Sequence, residues 1–149
     1  MTEREHELLV RVGPGTPMGE LLRRYWQPVA AAVELDTKPT KRMRLLGEDL
    51  VVFRDSNGKL GVLGEFCLHR RASLAFGRNE ECGLRCLYHG WKFVVEGNVV
   101  DMPSEAPGAP QRLGKKAKAY PAREGGGFIW AWMAPKEEMR DFEPPPWAP

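Results

Sequence analysis

Two short motifs set the strongest limit on how this chain folds. They are Cys67-x-His69 and Cys86-x-x-His89, with residues 70–85 between them. Each motif offers one sulfur and one nitrogen, so the two segments have to lie side by side if all four side chains serve a single metal centre. The chain of 149 residues contains three Cys and three His. Because the motifs take two of each, chance placement is a poor explanation for them.

Two kinds of metal centre fit this donor set. Zinc accepts two Cys and two His in a tetrahedron. A Rieske-type [2Fe–2S] cluster takes two thiolates on one iron and two imidazoles on the other. Zinc fingers usually pair Cys with Cys and His with His on a helix, whereas each pair here is mixed and falls in a predicted β-loop. The mixed order favours the cluster, while zinc, or no metal at all, stays open as an alternative.

The hydrophobic pattern predicts an antiparallel all-β domain with one short N-terminal helix. The helix is predicted in residues 14–27, PGTPMGELLRRYWQ, where apolar residues recur at helical spacing. Asn57-Gly58 predicts a hairpin with a type I′ turn, and Gly125-Gly126-Gly127 predicts a hairpin loop between the last two strands. The proline-rich segment 102–110 is predicted to be a surface connection. The predicted strands are 42–46, 50–54, 59–66, 91–95, 99–102, 115–121 and 128–133.

Composition divides the chain into three predicted parts. Residues 1–41 form an N-terminal segment with the short helix, residues 42–134 form the β domain, and residues 135–149 form a proline-rich exit segment. The triple proline in that last part favours an extended conformation.

Charge and hydropathy exclude some classes of function. The net charge of +2 argues against a nucleic-acid binder held mainly by charge. No apolar run approaches the ~20 residues that a membrane-spanning helix needs. The charged start MTEREHE lacks the features of a secretory signal. We therefore expect a cytoplasmic protein with reduced thiols, and no membrane or nucleic-acid partner.

The segment CLHRRASLAFGRNEECGLRCLYHGWKF, residues 67–93, resembles the Rieske segment of ring-hydroxylating oxygenase α subunits, most closely the phthalate-dioxygenase-like group. The similarity extends to PMGELLRRYWQPVA and GFIWAWM, and hence to nearly the whole chain. It implies the Rieske fold, in which small stacked sheets carry two cluster-binding hairpin loops, and one [2Fe–2S] cluster. By this resemblance Cys67 and Cys86 hold one iron, and His69 and His89 hold the other.

Four further residues are expected close to the cluster. Gly90 lets the backbone turn so that amide N–H groups face sulfide, and Trp91 forms a flat wall that excludes water. Tyr88 either shields the cluster or is an exposed loop residue, and Arg70 either contacts a partner or is solvated. Cys82 is expected to be a small buried or half-buried residue and not a ligand.

The resemblance also predicts the reduction potential. Within the wider Rieske family, high-potential respiratory members carry a Ser at the position of Trp91 and a Tyr at the position of Phe93, and these hydroxyl groups donate hydrogen bonds to sulfur. Neither residue here has a hydroxyl. We therefore expect the low end of the Rieske range, about −150 mV. The chain departs from the usual motif at Leu68, where Pro is common, and at Val94, where Asp often occurs. Both departures put local loop rigidity in doubt, but not ligation.

The resemblance implies an electron-transfer role with defined partners. The family's α subunit carries a second domain with a mononuclear iron in a two-His, one-carboxylate triad, whereas this chain has only His6 outside the two motifs. The expected donor is an NAD(P)H-dependent flavin/iron–sulfur reductase, and the expected acceptor is that mononuclear-iron catalytic domain. Oligomers are possible because α subunits form trimers. The alternatives are a zinc-stabilised interaction module and a free-standing Rieske ferredoxin.

Overall fold

The computed structural model describes residues 1–147, and its dominant elements are short antiparallel strands. In chain order the strands are β1 (Gln27–Ala31), β2 (Thr40–Leu45), β3 (Glu48–Arg54), β4 (Leu60–Gly64), β5 (Arg78–Glu80), β6 (Gly83–Arg85), β7 (Lys92–Phe93), β8 (Val99–Asp101), β9 (Ala119–Tyr120), β10 (Ala122–Gly125) and β11 (Phe128–Ala131). They form three sheets with the orders β1-β11-β10, β2-β3-β4-β9 and β5-β6-β7-β8. The prediction of an antiparallel all-β domain is confirmed. The last two residues of the predicted exit segment, 148 and 149, lie outside the described residues.

The helices are short and peripheral. They are α1 (Glu3–Val10), α2 (Pro17–Arg23), α3 (Glu34–Thr37) and α4 (Ala109–Leu113), with 3-10 turns at Leu74–Phe76 and Lys136–Glu138. Helix α2 confirms the predicted helix in a shorter form, and the expectation of a single helix was wrong. Within the described part of the chain, no helix is both long enough and apolar enough to cross a bilayer.

Helix α1 begins with a capping box that the sequence displays. The Thr2 hydroxyl accepts a hydrogen bond from the Glu5 amide at 3.2 Å, and the Glu5 carboxylate accepts one from the Thr2 amide at 2.7 Å. A Thr followed three residues later by Glu is a recognisable signal for a helix start. The sequence prediction, which placed a helix only at residues 14–27, did not include α1. Helix α1 is exposed and has no buried apolar side that would give a helical hydrophobic pattern.

The last hairpin differs from its prediction in which strand pairs with β11. The glycine loop is where the sequence placed it, with positive φ angles at Gly126 and Gly127. The partner of β11 is β10, however, while β9 pairs with β4 in another sheet. Pro121 lies between β9 and β10, and a proline cannot donate to a strand ladder. The predicted continuous strand 115–121 was therefore wrong.

The hairpin between β3 and β4 has a longer turn than the predicted type I′. Gly58 has a positive φ of 81°, whereas Asn57 does not. The Asp55 carboxylate accepts hydrogen bonds from the amides of Asn57 and Lys59 at 2.9 and 2.8 Å. The Asp55 amide also donates to the Lys59 carbonyl at 2.8 Å, so this pair encloses a three-residue loop, 56–58. The Asn-Gly pair therefore located the turn but not its type.

The β2-β3-β4-β9 sheet separates two hydrophobic cores. Along β3, Val51 and Phe53 face one core, while Leu50 and Val52 face the other, as the two-residue period of a strand requires. The first core also takes in the β5-β6-β7-β8 sheet and both cysteines of the two motifs, and its principal members are Leu63, Cys67, Leu74, Leu84, Cys86, Trp91, Phe93 and Met102. The two Cys–His segments are thus anchored to one packed core.

Candidate metal centre

The two motifs lie in loops that share one backbone pattern. Loop one is residues 67–72, and loop two is residues 86–91. In each loop the cysteine amide donates to the carbonyl five residues ahead, which is Ala72 for Cys67 and Trp91 for Cys86, both at 2.9 Å. These bonds join the first and last residues of each loop, so each cysteine lies at the start of a tight turn.

A second backbone bond completes each turn. The amide four residues after the cysteine donates back to the cysteine carbonyl, from Arg71 in loop one at 2.9 Å and from Gly90 in loop two at 3.1 Å. Both donors have positive φ angles, 58° for Arg71 and 77° for Gly90. The loops are therefore equivalent turns, although one carries its histidine a residue earlier than the other.

The two thiols meet inside the first core. Cys67 and Cys86 are 2% and 3% exposed and form no disulfide. Burial, and to a lesser degree the neighbouring Cys86 thiol, raise the pKa of Cys67 to about 11. Such a thiol keeps its proton at neutral pH unless a cation replaces it. A pair of adjacent, water-excluded sulfurs is thus available to a metal.

The two imidazoles meet on the outer side of the same site. The ring centroids of His69 and His89 are 4.5 Å apart with an interplanar angle of 65°. The His69 side chain is 21% exposed, yet its Nδ1 is buried and has no hydrogen-bond partner within residues 1–147. Buried polar atoms normally have partners, so this inward nitrogen is a candidate metal ligand.

The donors are therefore sorted by type, although each loop supplies one of each. Sulfur lies next to sulfur, and imidazole lies next to imidazole. This order fits a [2Fe–2S] cluster with two thiolates on one iron and two imidazoles on the other. Within residues 1–147, no group of three or more His, Cys, Asp or Glu side chains is placed to hold one metal ion.

Gly90 allows a close backbone approach in loop two, and Trp91 packs against the His69 ring. A Cβ on Gly90 would lie 2.9 Å from Cγ of Pro103, in addition to requiring the positive φ. The Trp91 ring is 5% exposed and stacks on the His69 ring, with centroids 4.8 Å apart and planes only 4° from parallel. Trp91 thus covers one face of that imidazole.

Exposed side chains surround the two imidazoles. Tyr88 is 64% exposed, and its ring centroid lies 3.9 Å from that of His89. Leu68 and Leu87 are also exposed, and Arg70 is an exposed cation directly after His69. The exposed residues next to the imidazoles in sequence therefore include apolar groups and the positive charge of Arg70, while the Glu105 carboxylate lies 3.9 Å from Nε2 of His69.

Cys82 lies apart from the thiol pair. It is half-buried in the turn between β5 and β6 with a positive φ of 60°, and its amide donates to the Ser56 hydroxyl at 2.6 Å.

Arg85 is a residue of the site that sequence reasoning missed. It is nearly buried, forms an ion pair with Glu80, and donates to the Gly90 carbonyl at 2.6 Å and to the Asp101 carboxylate at 2.8 Å. It therefore ties loop two, through Gly90, to Glu80 on β5 and to Asp101 on β8. Its position directly before Cys86 was visible, but its partners depend on strand pairing that the sequence does not display.

Glu65 is a second missed residue. It is 2% exposed, accepts a hydrogen bond from the Ser73 hydroxyl at 2.6 Å, and pairs with the Arg42 guanidinium at 3.2 Å. Since Phe66 and Ser73 form an isolated β-bridge at the base of loop one, Glu65 fastens that base. A lone Glu in a predicted strand gave no signal of this role.

Comparisons with known proteins agree on one family. The sequence profile of the Rieske [2Fe-2S] domain matches residues 25–121. The chain is 52% identical, over 100% of its length, to the oxygenase subunit of phthalate 4,5-dioxygenase from Pseudomonas putida, and it covers 34% of that protein. It is 46% identical, over 99% of its length, to the oxygenase subunit of 5,5'-dehydrodivanillate O-demethylase from Sphingobium sp. (strain NBRC 103272 / SYK-6), and it covers 36% of it.

A solved structure shows the same fold. The reduced complex between oxygenase and ferredoxin in carbazole 1,9a-dioxygenase superimposes with a TM-score of 0.63 and 31% identity, over 84% of this chain and 31% of that one. The chain thus spans about a third of the length of the relatives that it matches.

Proposed function

The chain belongs to the Rieske [2Fe-2S] domain family, and on that basis we propose that it works as the electron-transfer domain of a ring-hydroxylating oxygenase of the phthalate-dioxygenase-like group. The observation that carries the proposal is the sorting of the four donors into a buried thiol pair and an outer imidazole pair. Cys67 and Cys86 hold one iron, and His69, through Nδ1, and His89 hold the other. The bound cluster supplies one-electron redox chemistry.

The protein's own residues give the two sides of the site different tasks. The first core surrounds the thiols and excludes water from them. The imidazoles lie at the surface, where Trp91 fixes the plane of the His69 ring and Tyr88 lies against His89. A redox partner reaches the site most directly over these rings.

The proposed partners follow from the relatives. The two relatives with high identity are oxygenase subunits about three times as long as this chain, and the carbazole dioxygenase structure contains an oxygenase with its ferredoxin. We propose a flavin/iron–sulfur reductase as the electron donor and a mononuclear-iron catalytic domain as the acceptor, in an oligomeric oxygenase. The cytoplasm suits this role because the ligand thiols have to stay reduced.

A visible spectrum of the purified protein, before and after anaerobic dithionite, tests the proposal. We expect broad absorption that bleaches on reduction, with matching amounts of iron and acid-labile sulfide. A colourless protein that holds one equivalent of tightly bound zinc would replace the electron-transfer role with the zinc-stabilised module.

The reduction potential is expected at about −150 mV, the low end of the Rieske range. Phe93 is fully buried and has no polar hydrogen, and the single polar hydrogen of the Trp91 side chain is directed to the Ser104 hydroxyl at 3.3 Å. Neither side chain therefore donates to the cluster and eases its reduction. A mediated redox titration measures this value, and a potential well above zero would contradict the expectation.

A further inference from the structure

The segment of residues 101–105, DMPSE, lies along loop two and reaches His69. The predicted surface connection, residues 102–110, is exposed at 103–108, yet four of the five residues 101–105 also contact residues of the site. Their contacts are Asp101 with Arg85 at 2.8 Å, Pro103 with Gly90, Ser104 with Trp91 at 3.3 Å, and Glu105 with His69 at 3.9 Å. The segment is therefore a third wall of the site beside the two loops.

The last of these contacts involves the outer nitrogen of His69. Oε1 of Glu105 lies 3.9 Å from Nε2, while Nδ1 on the other side of the ring is the buried atom without a partner. A carboxylate near Nε2 favours the tautomer with the proton on Nε2 and leaves the Nδ1 lone pair free for a metal. Glu105 thus faces the nitrogen that a ligating His69 would not use.

The same segment also controls the stacking partner of His69. Ser104 accepts from the indole N–H of Trp91, and the Trp91 ring is stacked on the imidazole. Two consecutive residues therefore reach His69 by different routes. Ser104 reaches the ring through Trp91, which stacks on it, whereas the Glu105 carboxylate lies 3.9 Å from Nε2.

Building on the function proposed above, we propose that Glu105 is the positioning residue for His69. At 3.9 Å its carboxylate is too far for a hydrogen bond, but its charge attracts the Nε2 side of the ring and so favours the orientation with Nδ1 directed inward. The same negative charge lowers the reduction potential of the site. Adding one electron makes the site more negative, so a nearby anion disfavours the reduced form. The side chains of Glu105 and His69 are 36% and 21% exposed, so solvent weakens this effect but does not remove it.

Two substitutions separate orientation from charge. Glu105→Gln keeps an acceptor oxygen and removes the charge, whereas Glu105→Ala removes both. We expect both variants to shift the potential in the positive direction in a mediated titration. Under challenge with an iron chelator, we expect Glu105→Gln to bleach at close to the wild-type rate and Glu105→Ala to bleach about tenfold faster, as for loss of a residue that supports a metal ligand.

The matched control is Glu137→Gln, which neutralises an exposed carboxylate on the 3-10 turn Lys136–Glu138. It should change neither the potential nor the bleaching rate. Unchanged potentials in both Glu105 variants, or an equal shift in Glu137→Gln, would overturn the inference. A wild-type protein that binds no cluster would instead refute the proposed function, so the two failures are distinguishable.

Discussion

Replacing Cys86 with alanine is expected to give a colourless protein, with its iron per chain at least tenfold below that of the wild type. Cys86 is 3% exposed and shares the buried thiol pair with Cys67. Loss of residues that merely support a metal ligand already costs about 10–100-fold in affinity, so loss of a thiolate ligand should cost at least as much. Iron and acid-labile sulfide assays, together with the visible spectrum, measure the effect.

Cys82→Ala is the control for that experiment. Cys82 is a half-buried thiol outside the pair, so its removal should leave iron content and colour unchanged. Far-ultraviolet circular dichroism shows whether Cys86→Ala has folded, and His89→Ala gives a second test at a less buried position. A folded Cys86→Ala protein with full iron content would refute the ligand assignment.

Gly90→Ala is expected to lower the free energy of unfolding by about 2–5 kcal/mol and to speed cluster loss. A side chain in the left-handed region costs about 1–2 kcal/mol, and Gly90 has φ 77°. The new Cβ would also lie 2.9 Å from Pro103, and overpacking of this kind adds about 1–3 kcal/mol. Urea unfolding at equilibrium measures the first effect, and bleaching under a chelator measures the second.

Gly127→Ala is the control that separates the cost of the Pro103 contact from the cost of the positive φ. Gly127 has the same φ of 77°, but nothing lies within 4 Å of its added Cβ. It should cost about 1–2 kcal/mol, which is the conformational part alone. If Gly90→Ala proves no more costly than Gly127→Ala, the close approach of loop two to Pro103 does not constrain the site.

The site was largely readable because its signals are local. The spacing of Cys67, His69, Cys86 and His89 indicated two loops around one centre, and the structure brings these loops together. Residues 101–105 were not readable in the same way. Their contacts cross from one strand or loop to another, and a sequence displays such partners only when the register of the sheet is known.

The fold shows the same division. Hairpins with glycine in the turn, at Gly58 and Gly126, were located correctly. The hairpin between β5 and β6 was missed because its turn residues, Glu81 and Cys82, take positive φ angles without a glycine. Strand β1 was missed because its partner β11 lies about a hundred residues away in sequence and no turn connects them.

The twin turns of loops one and two have an entropic consequence. The hydrogen bonds that shape these turns join backbone groups within each loop. The backbone therefore fixes the Cα positions of the four donor residues without a bound metal. The conformational entropy of closing each loop is then lost when the chain folds, before the cofactor binds. Binding of the cofactor then loses less conformational entropy, so its net affinity is higher, as for any preorganised binding site.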